Sequence, residues 1–174
     1  MISSQFSLNQ AQKNKVIEQT KAYIDIANRE LNLNLMSINV RFDLRGKSSG
    51  MFVVRQGEVY IRYNEIIFSS YYDDSLINTV AHEVAHYVVY AKSPRRRVKP
   101  HGEEWKSVMA IFGVAPEVTS KYDISLLPLR QQQRHEYHCA CMTHQLTTTR
   151  HNKIHKKRVV YHCKKCLQPL KFRC

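Results

Sequence analysis

No stretch of this chain approaches the roughly 20 consecutive apolar residues that a bilayer-crossing helix needs, so a helical membrane span is not expected. The opening Met1-Ile-Ser-Ser-Gln-Phe-Ser-Leu8 lacks a basic start followed by an apolar run, so no secretion signal is expected and the chain reads as soluble and cytoplasmic. There is neither an internal repeat nor a low-complexity tail, which leaves 174 residues to form one ordinary core plus a small appendage. Cysteine is missing before position 139, and all five copies fall in the last 36 residues. Acidic residues are scarce in the second half. Residues 1–90 balance nine basic against nine acidic groups, whereas residues 91–174 hold eighteen against five and so carry the whole net charge of +13. A neutral half joined to a strongly basic one implies that the first carries the chemistry and the second meets a polyanion.

What is present begins with His82-Glu-Val-Ala-His86. On a helix, histidines four apart share one face and can grip a single Zn²⁺, and Glu83 lies beside the position left for water, where a carboxylate can take a proton. The surrounding stretch from Ser75 to Ala91 contains no Gly or Pro. Asp73, Asp74 and Ser75 are candidate N-terminal caps. Ile77, Val80, Ala81, Val84, Ala85, Val88 and Val89 wrap most of its circumference, so the helix is expected to be central and buried. Buried histidines and a buried glutamate need partners, and a metal supplies them at once.

A catalytic zinc takes three protein ligands plus water. The metzincin layout is excluded, because position 92 is Lys and position 89 is Val rather than the histidine and glycine it requires. Pro100-His-Gly-Glu-Glu-Trp105 offers His101, Glu103 and Glu104. We favour His101, which follows Pro100 at a helix start, with Glu104 as its rival; acidic residues in a first helical turn have a ready role opposing the helix dipole. Trp105 reads as a core anchor.

Elsewhere, residues 8–31 form a helix with Val16, Ile17, Tyr23, Ile24, Ala27 and Leu31 on its apolar face. Ile38–Phe42, Met51–Val54 and Val59–Tyr63 alternate as short strands separated by turns. A further helix spans about His101–Phe112. The order helix, strands, helices predicts an α+β domain with a small, largely antiparallel sheet behind the metal helix. Its sheet edge could receive an extended peptide by strand addition.

Leu126–Arg134 reads as a linker, dividing a domain at 1–128 from a basic module at 129–174. Cys139, Cys141, Cys163 and Cys166 form two close pairs, the pattern of a zinc ribbon. The Cys139–Cys141 spacing is one residue tighter than usual, so His138 or His144 could replace one thiolate, and Cys174 is left free. Thr147–Thr149 and Val159–Tyr161 are expected as strands between the knuckles. Two basic groups are suited to phosphate contact: Arg95, Arg96, Arg97 and Lys99 before His101, and Arg150, Lys153, Lys156, Lys157 and Arg158 at an expected hairpin tip.

These motifs together, with Tyr137-His-Cys-Ala-Cys141, His144-Gln-Leu146, Arg150-His-Asn152 and Tyr161-His-Cys-Lys-Lys-Cys166, resemble the bacterial SprT family, a relative of the eukaryotic protease Spartan, over nearly the whole chain. The resemblance implies a zincin-like metalloprotease domain followed by a zinc ribbon. It implies His82, His86 and His101 as ligands of a catalytic zinc, Glu83 as catalytic residue, and a second, structural zinc on the cysteines. It also implies proteolysis of proteins held on DNA. The alternative is a nucleic-acid-binding ribbon protein, acting in transcription, whose protease-like domain is only structural; the intact Glu83 speaks against it.

Overall fold

The computed structural model describes residues 6–94, 98–129, 133–156 and 158–172. Contacts divide the chain into two compact units, 1–129 and 130–174. The first opens with α1 (Gln10–Leu31). Asn9 starts it through a capping box: its side chain accepts from the Gln12 N–H at 2.8 Å, and Gln12 Oε1 accepts from the Asn9 N–H at 3.0 Å. Val16, Thr20, Tyr23, Ile24 and Ala27, spaced at helical period, turn its inner face to the core. Ile17, expected on that face, is exposed.

Three strands follow: β1 (Asn39–Arg41), β2 (Gly50–Arg55) and β3 (Glu58–Tyr63). They lie in the order β1-β3-β2. The β2–β3 pair is antiparallel as expected. Its two-residue turn places both Gln56 (φ 52°) and Gly57 (φ 82°) in the left-handed region, the geometry that matches strand twist in a tight hairpin. β1 is the exception to the antiparallel expectation, running parallel to β3. β3 is the central strand and its Ile61 and Tyr63 are fully buried.

The chain then forms α2 (Glu65–Ser70), whose apolar Ile66-Ile67-Phe68 the sequence reading had not assigned, and the short α3 (Tyr72–Asp74). A π-helical turn, Ser75–Thr79, leads directly into α4 (Val80–Lys92). Neither Asp73, Asp74 nor Ser75 caps α4, because the backbone enters it already helical. Ile77, on the π turn, is exposed rather than buried. From Val80 onward the expectation holds: Val80, Ala81, Val84, Ala85 and Val88 are fully buried, and α4 packs against α1, β2 and α5 (Glu103–Ile111). A helix enclosed on several sides can hold side chains in fixed rotamers, which is what a site built on it requires.

The second unit holds β4 (Arg134–His138), β5 (Thr143–Thr147), α6 (Thr148–His155) and β6 (Lys171–Phe172). The sheet is antiparallel, with β4 central. Two expectations are corrected here. Thr147 ends β5 and its hydroxyl accepts from the Arg150 N–H, capping a helix where a strand was expected over 147–149. Residues 159–161 form no strand; Val159 and Val160 are exposed. Arg150 and Lys153 therefore lie on α6, with Lys156 at its end, and not at a hairpin tip. Among the described residues no helix is long and apolar enough to cross a membrane.

Candidate metal centres and the cleft beside Glu83

His82 and His86 project from one face of α4, and His101 reaches them from the approach to α5. Its backbone is left-handed (φ 55°), and Gly102 hydrogen-bonds back to the Lys99 carbonyl at 3.0 Å. This tight bend, not a helix start, aims the third imidazole. Glu103 and Glu104 open α5 at the surface, and Glu103 pairs with Lys106. Trp105 is fully buried; its ring packs against all three imidazoles and its N–H donates to the His82 carbonyl at 3.3 Å.

The three Nε2 atoms are mutually separated by 3.2, 3.1 and 3.0 Å. These contacts cannot all be hydrogen bonds. A neutral imidazole Nε2 is either donor or acceptor, so three of them satisfy at most two contacts. A tetrahedral zinc with Zn–N of about 2.0–2.1 Å would instead hold its ligand nitrogens about 3.3 Å apart. Burial first, then the charge of its neighbours, draws His86 down to about 3; burial, then His101, draws His82 down to about 4, with the Glu117 backbone acting in the opposite direction. Burial also lowers His101. All three are therefore neutral near pH 7, the form that ligates a metal. The donor set fits a divalent ion of this kind.

Glu83 lies one step round α4, almost wholly buried. Burial pushes its carboxyl up to about 8, opposed by the Phe52 N–H, which donates to Glu83 Oε2 at 2.7 Å. That donor comes from an edge strand. The Ser49 carbonyl accepts from the Asn64 N–H at 2.8 Å, so at a two-residue period Met51 and Val53 face β3 while the backbone groups of Gly50, Phe52 and Val54 point away from it. Gly50 is a second contact that sequence reading missed. A Cβ built there would lie 2.6 Å from Glu83 Cγ and 2.7 Å from Oε1, so only glycine lets the carboxyl approach the strand. Its one sequence signal was a glycine at the end of a turn.

Two cavities, of about 810 and 440 Å³, share Gly50, His82 and Glu83 as lining residues. The larger has Thr79 and Met109 among its buried lining residues and extends to Lys121 and Tyr122. The smaller reaches His86, His101 and Lys99. Lys99 is exposed; Arg95, Arg96 and Arg97 lie outside the described residues.

In the second unit the sulfurs of Cys139, Cys141, Cys163 and Cys166 lie within 4.8 Å of one another and are not disulfide-bonded. Cys139 to Cys141 measures 3.5 Å and Cys141 to Cys163 3.7 Å, close to the ~3.8 Å edge of a tetrahedral zinc–thiolate shell. The hydrogen bond from Cys139, followed by those from Cys166 and Cys163, pushes Cys141 up to about 12, as expected of thiols crowded without a cation. This cluster and the histidine triad could each hold a metal ion. His144 Nε2 sits 3.3 Å from Cys139 Sγ, a partner of the tetrad and not a replacement within it, and His138 is exposed on β4. Arg150, Lys153, Lys156 and Arg158 are exposed and make no ion pair among the described residues; the Arg150 guanidinium lies 5.7 Å from the Tyr161 ring. Lys157 and Cys174 lie outside the described residues.

Comparison with known proteins agrees with this arrangement. The family profile of the SprT-like family matches residues 18–124. The chain is 35% identical over 150 residues to Protein SprT of Vibrio parahaemolyticus, covering 86% of this chain and 87% of that one. It is 37% identical over 144 residues to Protein SprT of Pasteurella multocida, covering 82% and 83%. With Protein SprT of Glaesserella parasuis it shares 35% over 157 residues, 90% and 96% of the two chains. No solved structure matches it significantly. On the family match and on relatives that align along most of both chains, the protein belongs to the SprT-like family.

Proposed function

We propose that this chain is a zinc-dependent endopeptidase, zincin-like in its first unit, with Glu83 as its catalytic residue. The observation that carries this reading is the convergence of three neutral imidazoles and a buried carboxyl where two cavities meet beneath the outward edge of β2. Zinc held by His82, His86 and His101 would supply Lewis acidity, bringing the pKa of a water down to about 7. Glu83 accepts the proton from the attacking water and returns it to the departing amine, one carboxyl acting first as base and then as acid. Burial and the Phe52 N–H, which holds Oε2 at 2.7 Å, fix the carboxyl in place for both transfers. The outward backbone groups of β2 offer strand addition to an extended peptide, and the two cavities flank the position its scissile bond would take.

The cysteine tetrad would hold a structural zinc in the second unit. Exposed Arg150, Lys153, Lys156 and Arg158 there, together with Lys99 and the Arg95–Arg97 run, would contact nucleic-acid phosphates, so that proteins held on DNA are the substrates. Cleavage of an unfolded casein-like protein, with and without DNA, tests the chemistry. Glu83→Gln should keep both metals and the fold while lowering cleavage at least 100-fold, the scale of lost general acid–base catalysis at about 10²–10⁴. Equal cleavage by the variant, or none by the unaltered protein, would leave the ribbon-module alternative standing.

A further inference from the structure

The two cavities that meet at Glu83 differ in chemistry. The larger is walled chiefly by polar side chains, among them Ser48, Asp74, Asn78, Thr119 and Lys121. The smaller, of about 440 Å³, is walled beside the three imidazoles by Met51 and Phe52 of β2, Val89 and Tyr90 of α4, and Trp105 of α5. Its polar groups outside the site itself are Ser93, the exposed Lys99 and the Tyr90 phenol. A hollow lined by apolar and aromatic side chains around a few placed polar groups is the usual form of a ligand subsite.

The helical repeat explains this wall. Val89 and Tyr90 follow His86 by three and four residues, so all three share one face of α4. Helical side chains lean toward the N-terminus, so both cover the turn that carries His86. The Tyr90 ring meets that of Phe52 with centroids 5.7 Å apart, joining α4 to β2 at the pocket. Phe52 is also the residue whose N–H holds Glu83 Oε2 at 2.7 Å. Another wall is the buried Trp105 ring, whose centroid lies 4.8 to 5.9 Å from those of the three imidazoles. The walls of the pocket are therefore the supports of the site. A side chain packed among them is registered against Glu83 and the three histidines, and its burial orients the bond to be cut.

We propose that the smaller cavity is a specificity pocket for one large apolar side chain, leucine, methionine or phenylalanine, beside the scissile bond, with Tyr90 as its specificity-determining residue. The inference deepens the peptidase reading and rests on it. The polar wall of the larger cavity makes no such demand, so the preference falls on one flank of the cut.

Digestion of a random-sequence peptide library by the zinc-loaded full chain tests it, with each cut read by mass spectrometry. Leucine, methionine or phenylalanine should be favoured over serine, aspartate and lysine at one flanking position by at least about tenfold, the low end of what one methylene is worth in an apolar pocket. Tyr90→Ala should reduce the leucine-over-alanine ratio of kcat/KM about tenfold, and Tyr90→Glu should move the preference toward lysine. Trp105 is the only tryptophan, so binding is visible without turnover. In Glu83→Gln a leucine-containing peptide should shift its fluorescence, and the same peptide with serine in that place should not. Cut sites with no preference at either flank, a preference for acidic residues, which would make Lys99 the determinant, or ratios unchanged in the Tyr90 variants overturn the proposal. Should Tyr90→Glu fail to fold, Tyr90→Ala decides by the same ratio. A chain that cuts no peptide sinks the peptidase reading itself, and discrimination of leucine from serine by Glu83→Gln then decides the pocket alone.

Discussion

Gly50 and Glu83 compete for the same few ångströms, and that closeness makes the site sensitive to one methyl group. A methyl at position 50 would press on Glu83 Cγ and Oε1 at 2.6 and 2.7 Å, so either the carboxyl leaves the Phe52 N–H or β2 shifts outward. Gly50→Ala should therefore lower cleavage at least tenfold with zinc content unchanged, and lower stability by about 1–3 kcal/mol in urea unfolding. Wild-type activity in that variant would show that Glu83 works without its strand contact. At this scale His82, Glu83 and His86 were legible from spacing alone, because a four-residue interval is a geometric fact of any helix. His101 was reached by weighing it against Glu104. Gly50 and the Phe52 N–H were not legible, because the chemistry of a backbone group depends on where the chain is folded and not on its side chain.

Among the elements, the β2–β3 hairpin sets the strand edge that meets Glu83, and its turn depends on Gly57 at φ 82°. Gly57→Ala places a Cβ in open space but in a left-handed backbone, and should cost about 1–2 kcal/mol, read as a lower urea midpoint with an unchanged slope. A larger slope change would mean that the hairpin frays as a separate unit. Strands β1–β3 and α1 were legible from period and turn residues. The π turn was not: its residues read as helix with caps, and only packing against Tyr122 and α1 shows where the extra residue is taken up. In the second unit, threonine's preference for strands misdirected the reading of 147–149, since the same hydroxyl that suits a strand also caps a helix.

The chain has two units, each with one candidate metal centre among its described residues. The first unit has a continuous apolar core. The second has few large buried residues, Tyr137, Leu146 and Cys163 among them, so a metal on the cysteine cluster would supply much of its folding energy. Metal analysis should find two zinc per chain. Chelation should melt the second unit first, with the near-ultraviolet signal of Trp105 in the first unit retained; simultaneous loss of both would contradict the division. DNA affinity should fall steeply and linearly in log–log form as salt rises, because phosphate contacts release counterions. A flat salt dependence would remove α6 and its neighbours from consideration as a phosphate-binding surface.

By itself the sequence determined which side chains could hold a metal and most of the elements of the first unit, since ligand identity, helical spacing and strand period are local properties of the chain. Tertiary structure alone decided which strand edge meets Glu83, and that a left-handed bend rather than a helix start delivers His101. Those relations join residues tens of positions apart, and their energy comes from burial and hydrogen bonding that exist only once the core has closed.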